Sequence, residues 1–169
     1  MEMDAQRYSV DLHNFAMITV GVISDTHGLV RPWISEVFRG VQHILHAGDI
    51  GKAEVLDDLR RIAPVSPVRG NNDIGSWAVH IPVTEVVEIG GVTIYLLHDA
   101  NELDLNPAAA GFHVVVSGHS HRPKIENHKG VLYLNPGSAG PKRFTLPITV
   151  ARMQIEGTDV RAEIVNLTH

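Results

Sequence analysis

The sequence contains no cysteine, no long apolar run and no cluster of basic residues, and each absence excludes a class of protein or site. Without cysteine, disulfide bonds, zinc–thiolate sites and cysteine nucleophiles are excluded, so a bound metal must take oxygen and imidazole ligands. No run of about 18 apolar residues predicts a membrane-spanning helix. The net charge of −5, without a lysine or arginine cluster, argues against tight binding of duplex nucleic acid but is compatible with a nucleotide substrate.

Length and composition are those of an ordinary globular protein. The 169 residues are 44% hydrophobic and 20% charged, which predicts one domain, 1–169, able to bury a core of its own. Residues 1–16 contain charges and no apolar stretch typical of a signal peptide, so we expect a cytoplasmic protein. This segment precedes the first predicted strand and is interpreted as an N-terminal extension that the chemistry does not need.

Strands and helices alternate in the first half of the chain. Residues 18–23 are apolar and β-branched, as in a buried strand, and two more strands are predicted at 41–46 and 65–68. The apolar spacing predicts a helix after Pro32 and a second helix over 52–63. A βαβα order of this kind is typical of a parallel sheet with helices packed against it.

The second half consists mostly of predicted hairpins. Residues 83–89 and 92–97 flank a Gly-Gly turn, and a short helix, interrupted near Pro107, is expected over 102–110. Further strands are predicted at 113–116, 124–128, 131–134, 148–155 and 160–165. The predicted fold class is therefore α/β, with two sheets packed as a β-sandwich and flanked by helices.

Five clusters of polar residues each follow directly after a predicted strand. They contain Asp25 and His27, Asp49, Asn71 to Asp73, His98, and His119 with His121. In α/β folds this edge of the sheet is where ligands bind, and residues two apart on an extended segment point the same way. Carboxylate, carboxamide and imidazole ligands without sulfur suit manganese, iron, zinc, cobalt or nickel.

These motifs and their order resemble the calcineurin-like metallophosphoesterase superfamily. The matching residues are Asp25-x-His27, Gly48-Asp49, Gly70-Asn71-x-Asp73, His98, Gly118-His119-Ser120-His121 and Asn135-Pro136-Gly137-Ser138. The resemblance covers about residues 20–139, and the short chain is similar to the small bacterial and archaeal phosphodiesterase branch of that superfamily. It implies the four-layer α/β/β/α version of the two-sheet sandwich.

The resemblance also implies a two-metal site. One cation would be bound by Asp25, His27, Asp49 and His121, and the other by Asp49, Asn71, His98 and His119. Asp49 would bridge the pair, since a carboxylate has two oxygens. The family chemistry implies that a hydroxide between the cations attacks the phosphate in line with the leaving oxygen, and Asp49, Asn71 and His98 are the residues predicted to act in catalysis.

Two positions depart from the family pattern. Asn72 stands where many larger relatives have a histidine that protonates the leaving group, and an amide cannot act as a general acid. Asp99 follows His98 where glycine is expected; it either orients an imidazole or is a solvated loop carboxylate. The remaining histidines are interpreted as ordinary structural or surface residues, with His46 a partial exception because it is close to Asp49 in the sequence.

The resemblance predicts a metal-dependent phosphoesterase, more specifically a phosphodiesterase, with two divalent cations of which manganese is favoured. The expected substrate is a small phosphate ester, nucleotide-derived esters included. Neither a membrane nor duplex nucleic acid is an expected partner, and a homo-oligomer is compatible with the sequence. The alternative is a non-catalytic interaction scaffold on the same fold, like the retromer subunit that resembles these enzymes. The presence of all seven predicted ligands favours the enzyme.

Overall fold

The computed structural model describes residues 16–167, in which two five-stranded sheets pack face to face. The N-terminal extension, apart from Ala16, and His13 and His169 lie outside the described residues. The strands are β1 (Ile18–Ile23), β2 (His43–His46), β3 (Val65–Pro67), β4 (Thr84–Ile89), β5 (Val92–Leu97), β6 (Val114–Val116), β7 (Lys124–His128), β8 (Val131–Asn135), β9 (Thr149–Glu156) and β10 (Asp159–Asn166). Within residues 16–167 the α-helices are α1 (Ile34–Val37) and α2 (Ala53–Arg60).

Both sheets are mixed. The first has the order β10-β9-β1-β2-β3, with β1, β2 and β3 parallel and the hairpin β9–β10 antiparallel at one side. The second has the order β4-β5-β6-β8-β7, with β5, β6 and β8 parallel and the antiparallel strands β4 and β7 at its edges. The predicted α/β sandwich of two sheets is confirmed.

The main core lies between the sheets. Val20 and Val22 of the first sheet pack in one cluster with Leu96 and Val116 of the second, and all four are buried. The outer face of the first sheet is covered by both helices, with Phe38 and Leu59 fully buried there. A sheet that is apolar on both faces needs a covering layer on each.

The prediction of a helix over 102–110 is wrong. A short 3-10 helix, Ala100–Glu102, is followed by irregular chain and then by one isolated turn that begins at Asn106. The Asn106 side chain accepts a hydrogen bond from the backbone N–H of Ala109, and Gly111 has a φ of 83°, which ends the turn. This segment nevertheless covers the outer face of the second sheet, where Leu103 and Leu105 contact its apolar side chains.

No helix within residues 16–167 has the length and apolarity needed to cross a membrane. The parallel strands β1, β2 and β3 of one sheet and β5, β6 and β8 of the other determine where the polar loops lie.

Candidate metal centre

The seven predicted ligands lie in loops that follow the carboxyl ends of five parallel strands. These strands are β1, β2 and β3 in the first sheet and β5 and β6 in the second. The loops after β1 and β2 are hydrogen-bonded to each other, since Asp25 N–H donates to the Gly48 carbonyl and His27 N–H to the Asp49 carbonyl. The sandwich therefore brings the loops of both sheets together at one edge.

Five of these seven residues have left-handed backbone, with φ between 47° and 67°. Side chains other than glycine adopt this conformation at a cost of about 1–3 kcal/mol per residue, so it persists only where the surrounding contacts fix it. Such residues concentrate at functional sites. The five are Asp25, His27, Asp49, His119 and His121.

One group of side chains forms around Asp25. Oδ1 of Asp25 lies 3.2 Å from Nε2 of His121 and 4.0 Å from Nε2 of His27. Asp25 is fully buried, yet its Oδ1 accepts no hydrogen bond, and the buried Nε2 of His27 likewise has no hydrogen-bond partner. The three ligand atoms lie within 4.8 Å of one another. An unsatisfied buried carboxylate oxygen facing imidazole nitrogens is the arrangement that a cation would complete.

A second group forms around Asp49. Oδ2 of Asp49 lies 3.4 Å from Nε2 of His98 and 3.8 Å from Nε2 of His27, so this carboxylate faces both groups. Nδ1 of His119 lies 3.3 Å from Nε2 of His98. Asp25, Asp49 and His98 also lie close together, and they form a further set of three residues able to hold a cation.

The tautomer of His98 is determined by its backbone contact. Its Nδ1 lies 2.7 Å from the carbonyl oxygen of Ala47, which can only accept, so Nδ1 carries a proton. Nε2 faces Asp49 and, once it has lost its own proton, is the nitrogen that would bind a cation. Burial lowers the pKa of His98, but its hydrogen bonds to Asp49 and to the Ala47 carbonyl outweigh burial and raise the pKa above its ordinary value. At His27 burial dominates and lowers the pKa.

Asp49 is kept ionised by donors on every side. Burial raises its pKa, but hydrogen bonds from His98 and Asn72 outweigh burial and hold the pKa well below its usual range. Asn72 donates twice, from its backbone N–H to Oδ1 at 3.0 Å and from its side-chain Nδ2 to Oδ2 at 2.9 Å. A Cβ at position 70 would overlap Oδ1 of Asp49, so Gly70 leaves the space that this carboxylate occupies.

Asn71 is the predicted ligand with the least direct connection to the others. It is exposed, and it lines a cleft of about 570 Å³ together with His98 and His119. A second cleft of about 360 Å³ lies beyond His119, and Asp99 and His119 line both. The structure therefore gathers six of the seven predicted residues in two contacting groups and places Asn71 at the edge of the larger cleft.

Sequence reasoning missed the role of His46. This fully buried residue accepts the Gly48 N–H at Nδ1, 3.1 Å away, and therefore donates from Nε2 to Oγ1 of Thr26, which donates in turn to the Ile50 carbonyl. Burial lowers its pKa to about 4. The residue thus links the loops after β1 and β2, and its nearness to Asp49 in the sequence was the only signal for it.

Two other side chains support the site loops. The carboxylate of Asp73 accepts backbone N–H groups from Ile50, Gly51 and Gly70, which ties the loop after β2 to the loop after β3. Asn135 donates from Nδ2 to the Gly118 carbonyl at 2.8 Å and to Oγ of Ser120 at 3.1 Å. The Asn-Pro-Gly-Ser motif therefore supports the loop that contains His119 and His121.

Comparison with known proteins gives matches over most of the chain. The model of the calcineurin-like phosphoesterase superfamily domain matches residues 18–158. The chain is 34% identical over 158 residues to a protein of Methanothermobacter thermautotrophicus named "Probable metallophosphoesterase", covering 86% of this chain and 91% of that one.

Solved structures share the fold. Vps29 from Entamoeba histolytica, solved in complex with Zn²⁺, matches with a TM-score of 0.70 and 24% identity over 89% of this chain and 100% of that one. A structure described as a novel archaeal phosphodiesterase matches with a TM-score of 0.65 and 22% identity over 88% of this chain and 100% of that one. At these identities the likeness concerns the fold alone.

Proposed function

Since the chain belongs to the calcineurin-like phosphoesterase superfamily, we propose that it is a metal-dependent phosphodiesterase that holds two divalent cations at the edge of its two sheets. Membership in this superfamily confirms the relationship predicted from the motifs, and it implies a phosphoesterase that uses divalent metal. The diester substrate, the second cation and the preference for manganese are the parts that we add.

The observation that best supports the proposal is a pair of buried polar atoms without hydrogen-bond partners in the group around Asp25. Oδ1 of Asp25 and Nε2 of His27 are buried without hydrogen bonds. Leaving a buried carboxylate oxygen unpaired costs free energy, and the protein has a strained backbone at both residues as well. A cation bound between these atoms and His121 would offset both costs.

The donor set fits two cations. Asp25, His27 and His121 would hold one, while His98, His119 and Asn71 would hold the other. Asp49 faces both groups through Oδ2, which lies within 3.8 Å of His27 and His98, and would therefore bridge them. Oxygen and imidazole donors without sulfur suit manganese, with iron, zinc, nickel or cobalt as alternatives.

The chain's own residues would prepare the site for hydrolysis. When bound, divalent cations polarise the phosphate and activate a water molecule. The Ala47 carbonyl holds the proton of His98 on Nδ1, and Asn72 orients the Asp49 carboxylate, so both ligands are arranged in advance. No protein nucleophile is required by this arrangement.

The two clefts favour a diester over a monoester. They have volumes of about 570 and 360 Å³, and Asp99 and His119 line both of them. A phosphate held at the cations would point one ester arm into each cleft, whereas a monoester would use only one. We therefore infer that the protein acts on small phosphodiesters, nucleotide-derived esters included.

Two measurements test the proposal. Elemental analysis of protein reloaded with manganese should give about two cations per chain, and the loaded protein should hydrolyse aryl phosphodiesters faster than the matching monoesters. A reproducible stoichiometry of one would contradict the two-metal site. Faster hydrolysis of monoesters would contradict the diester assignment but would still support a phosphoesterase.

The second candidate is a non-catalytic scaffold, because solved Vps29 structures share this fold. The complete donor set argues against it, since a scaffold has no need for strained, unsatisfied ligands. The hydrolysis screen separates the two candidates. Protein that binds two cations but hydrolyses no cyclic nucleotide, dinucleotide or aryl ester would favour the scaffold.

A further inference from the structure

The larger cleft has an apolar wall on the outer face of the second sheet. Tyr95 and Leu97 are two residues apart on β5 and so face the same side, and Val83 lines the same cleft. At one end the cleft reaches His98 and His119 of the candidate metal centre. With a volume of about 570 Å³ it is large enough for the organic arm of a small ester.

The rim of this cleft is acidic. Asp99, Glu102 and Asp104 line it from the segment that crosses the outer face of the second sheet, against the single guanidinium group of Arg69. Glu102 and Asp104 are exposed, and among residues 16–167 neither forms an ion pair with a basic side chain. The negative charge of Glu102 and Asp104 is therefore available to a ligand, whereas Asp99 faces His119.

The smaller cleft has the opposite character. Arg122 and Lys124 line it, with Asp99 at the boundary that it shares with the larger cleft. Lys124 is partly neutralised by Glu126, which lies 2.6 Å from its Nζ. The two clefts that share His119 thus differ in charge, and a substrate arm would meet a different field in each.

We propose that the larger cleft binds the alcohol arm of the phosphate ester and selects arms that carry a positive charge, such as an ammonium group, over neutral arms of the same shape. The proposal rests on the proposed function, since the phosphate must be held at the metal centre for the arm to reach the cleft. An arm with a second anionic group is disfavoured by the carboxylates of Glu102 and Asp104.

A pair of isosteric probes isolates the charge. Phosphocholine and 3,3-dimethylbutyl phosphate differ only by nitrogen or carbon at one position, so the ratio of their dissociation constants measures the charge preference. Titration calorimetry on manganese-loaded protein should show phosphocholine binding at least about 5-fold more tightly. The apolar wall favours the neutral probe, which makes this a demanding test.

Matched variants test whether the carboxylates of the larger cleft cause the preference for the charged probe. Glu102→Gln combined with Asp104→Asn should reduce the ratio to below about 2. Asp159→Asn combined with Glu163→Gln makes the same change in net charge at exposed positions of β10, in the other sheet, and should leave the ratio unchanged. A wild-type ratio near one, or equal losses in the two double variants, would overturn the cleft assignment.

Hydrolysis of the p-nitrophenyl diesters of the same two phosphates separates this proposal from the proposed function. A binding preference that depends on Glu102 and Asp104, without hydrolysis of either diester, would support the cleft and contradict the phosphodiesterase. Hydrolysis of both diesters together with equal binding of the two probes would contradict the cleft alone.

Discussion

Oδ2 of Asp99 lies 3.7 Å from Nε2 of His119, and the other ring nitrogen of this histidine faces His98. Asp99 also accepts the Asn101 N–H through Oδ1, which caps the short helix Ala100–Glu102. Of the two alternatives left open by the sequence, the geometry favours a carboxylate that orients an imidazole. A proton on Nε2, next to the Asp99 carboxylate, would leave Nδ1 free for a cation.

Asp99→Asn should therefore weaken manganese binding by the group that contains His98 and His119 by about 10- to 100-fold. Asparagine keeps the oxygen that caps the helix but loses the charge that faces His119, so the melting temperature of metal-free protein should hardly change. Metal titration and thermal unfolding check the two parts. Unchanged affinity for both cations would show that Asp99 serves only as a cap.

Asp49→Asn should lower kcat by at least about 10²-fold and reduce the metal content below two cations per chain. The change removes the charge that faces both His27 and His98. Steady-state kinetics and elemental analysis measure the two effects. Asp57→Asn, an exposed position on α2, serves as the control for the loss of one negative charge. Full activity with two bound cations would exclude the bridging role.

Hydrolysis should depend steeply on the acidity of the leaving group, because Asn72 cannot protonate the departing oxygen. Aryl diesters should be cleaved faster than alkyl diesters. A series of esters with graded leaving-group pKa measures this. Insensitivity to the leaving group, with chemistry shown to limit the rate, would mean that another acid is present.

Asn72→His should increase the rate for alkyl esters, but by less than the 10²- to 10⁴-fold typical of a well-placed general acid. The side chain of Asn72 donates to Asp49, so the new imidazole starts from a position directed at the carboxylate and not at the leaving oxygen. The gain should disappear as the imidazole loses its proton at higher pH. A variant whose gain persists at high pH would not be using an imidazolium acid.

The metal-free protein should lose stability between about pH 6.5 and pH 4 because of His46. In the unfolded chain this histidine takes up a proton near its ordinary pKa, whereas in the folded protein it does so only near 4. Unfolding therefore becomes more favourable as the pH falls through this interval, by about 3 kcal/mol from this residue. Chemical denaturation of chelator-treated protein at several pH values measures the effect.

His46→Gln should be less stable than the natural protein at pH 7, since the glutamine amide reaches the position of Nε2 near Thr26 but has no acceptor at the position of Nδ1, to which the buried Gly48 N–H donates. Its stability should fall less steeply between pH 6.5 and pH 4. Equal slopes for the two proteins would show that His46 titrates alike in the folded and unfolded states.

The sequence predicted the sandwich because its strands have clear boundaries. Ile18–Ile23 and Val92–Leu97 are apolar runs that end in polar residues, and every strand from which a candidate ligand follows was anticipated. The helix expected over 102–110 was wrong because the side chain of Asn106 and the left-handed Gly111 limit the segment to one turn. Apolar spacing alone does not reveal such local hydrogen bonds.

The contacts that support the site were harder to predict than its ligands. The two donor groups of Asn72 reach Asp49 across 23 residues of sequence, and His46 links loops through a side chain that resembles any other buried histidine. These contacts depend on how the loops approach each other, which the sandwich determines and a linear pattern does not. The assignment of the seven ligands to two cations stays a prediction.

The left-handed backbone at five of the candidate ligands has a consequence for how this sequence can change. At Asp25, His27, Asp49, His119 and His121, glycine would relieve about 1–2 kcal/mol of strain per position. Where the side chain has no hydrogen-bond partner of its own, as at His27, folding stability alone thus favours its loss, whereas Asp25 and Asp49 also accept hydrogen bonds that glycine would lose. A duplicated copy released from selection for activity would gain stability by drifting toward glycine at a position like His27, so the loops of the site would be the first part of such a copy to diverge.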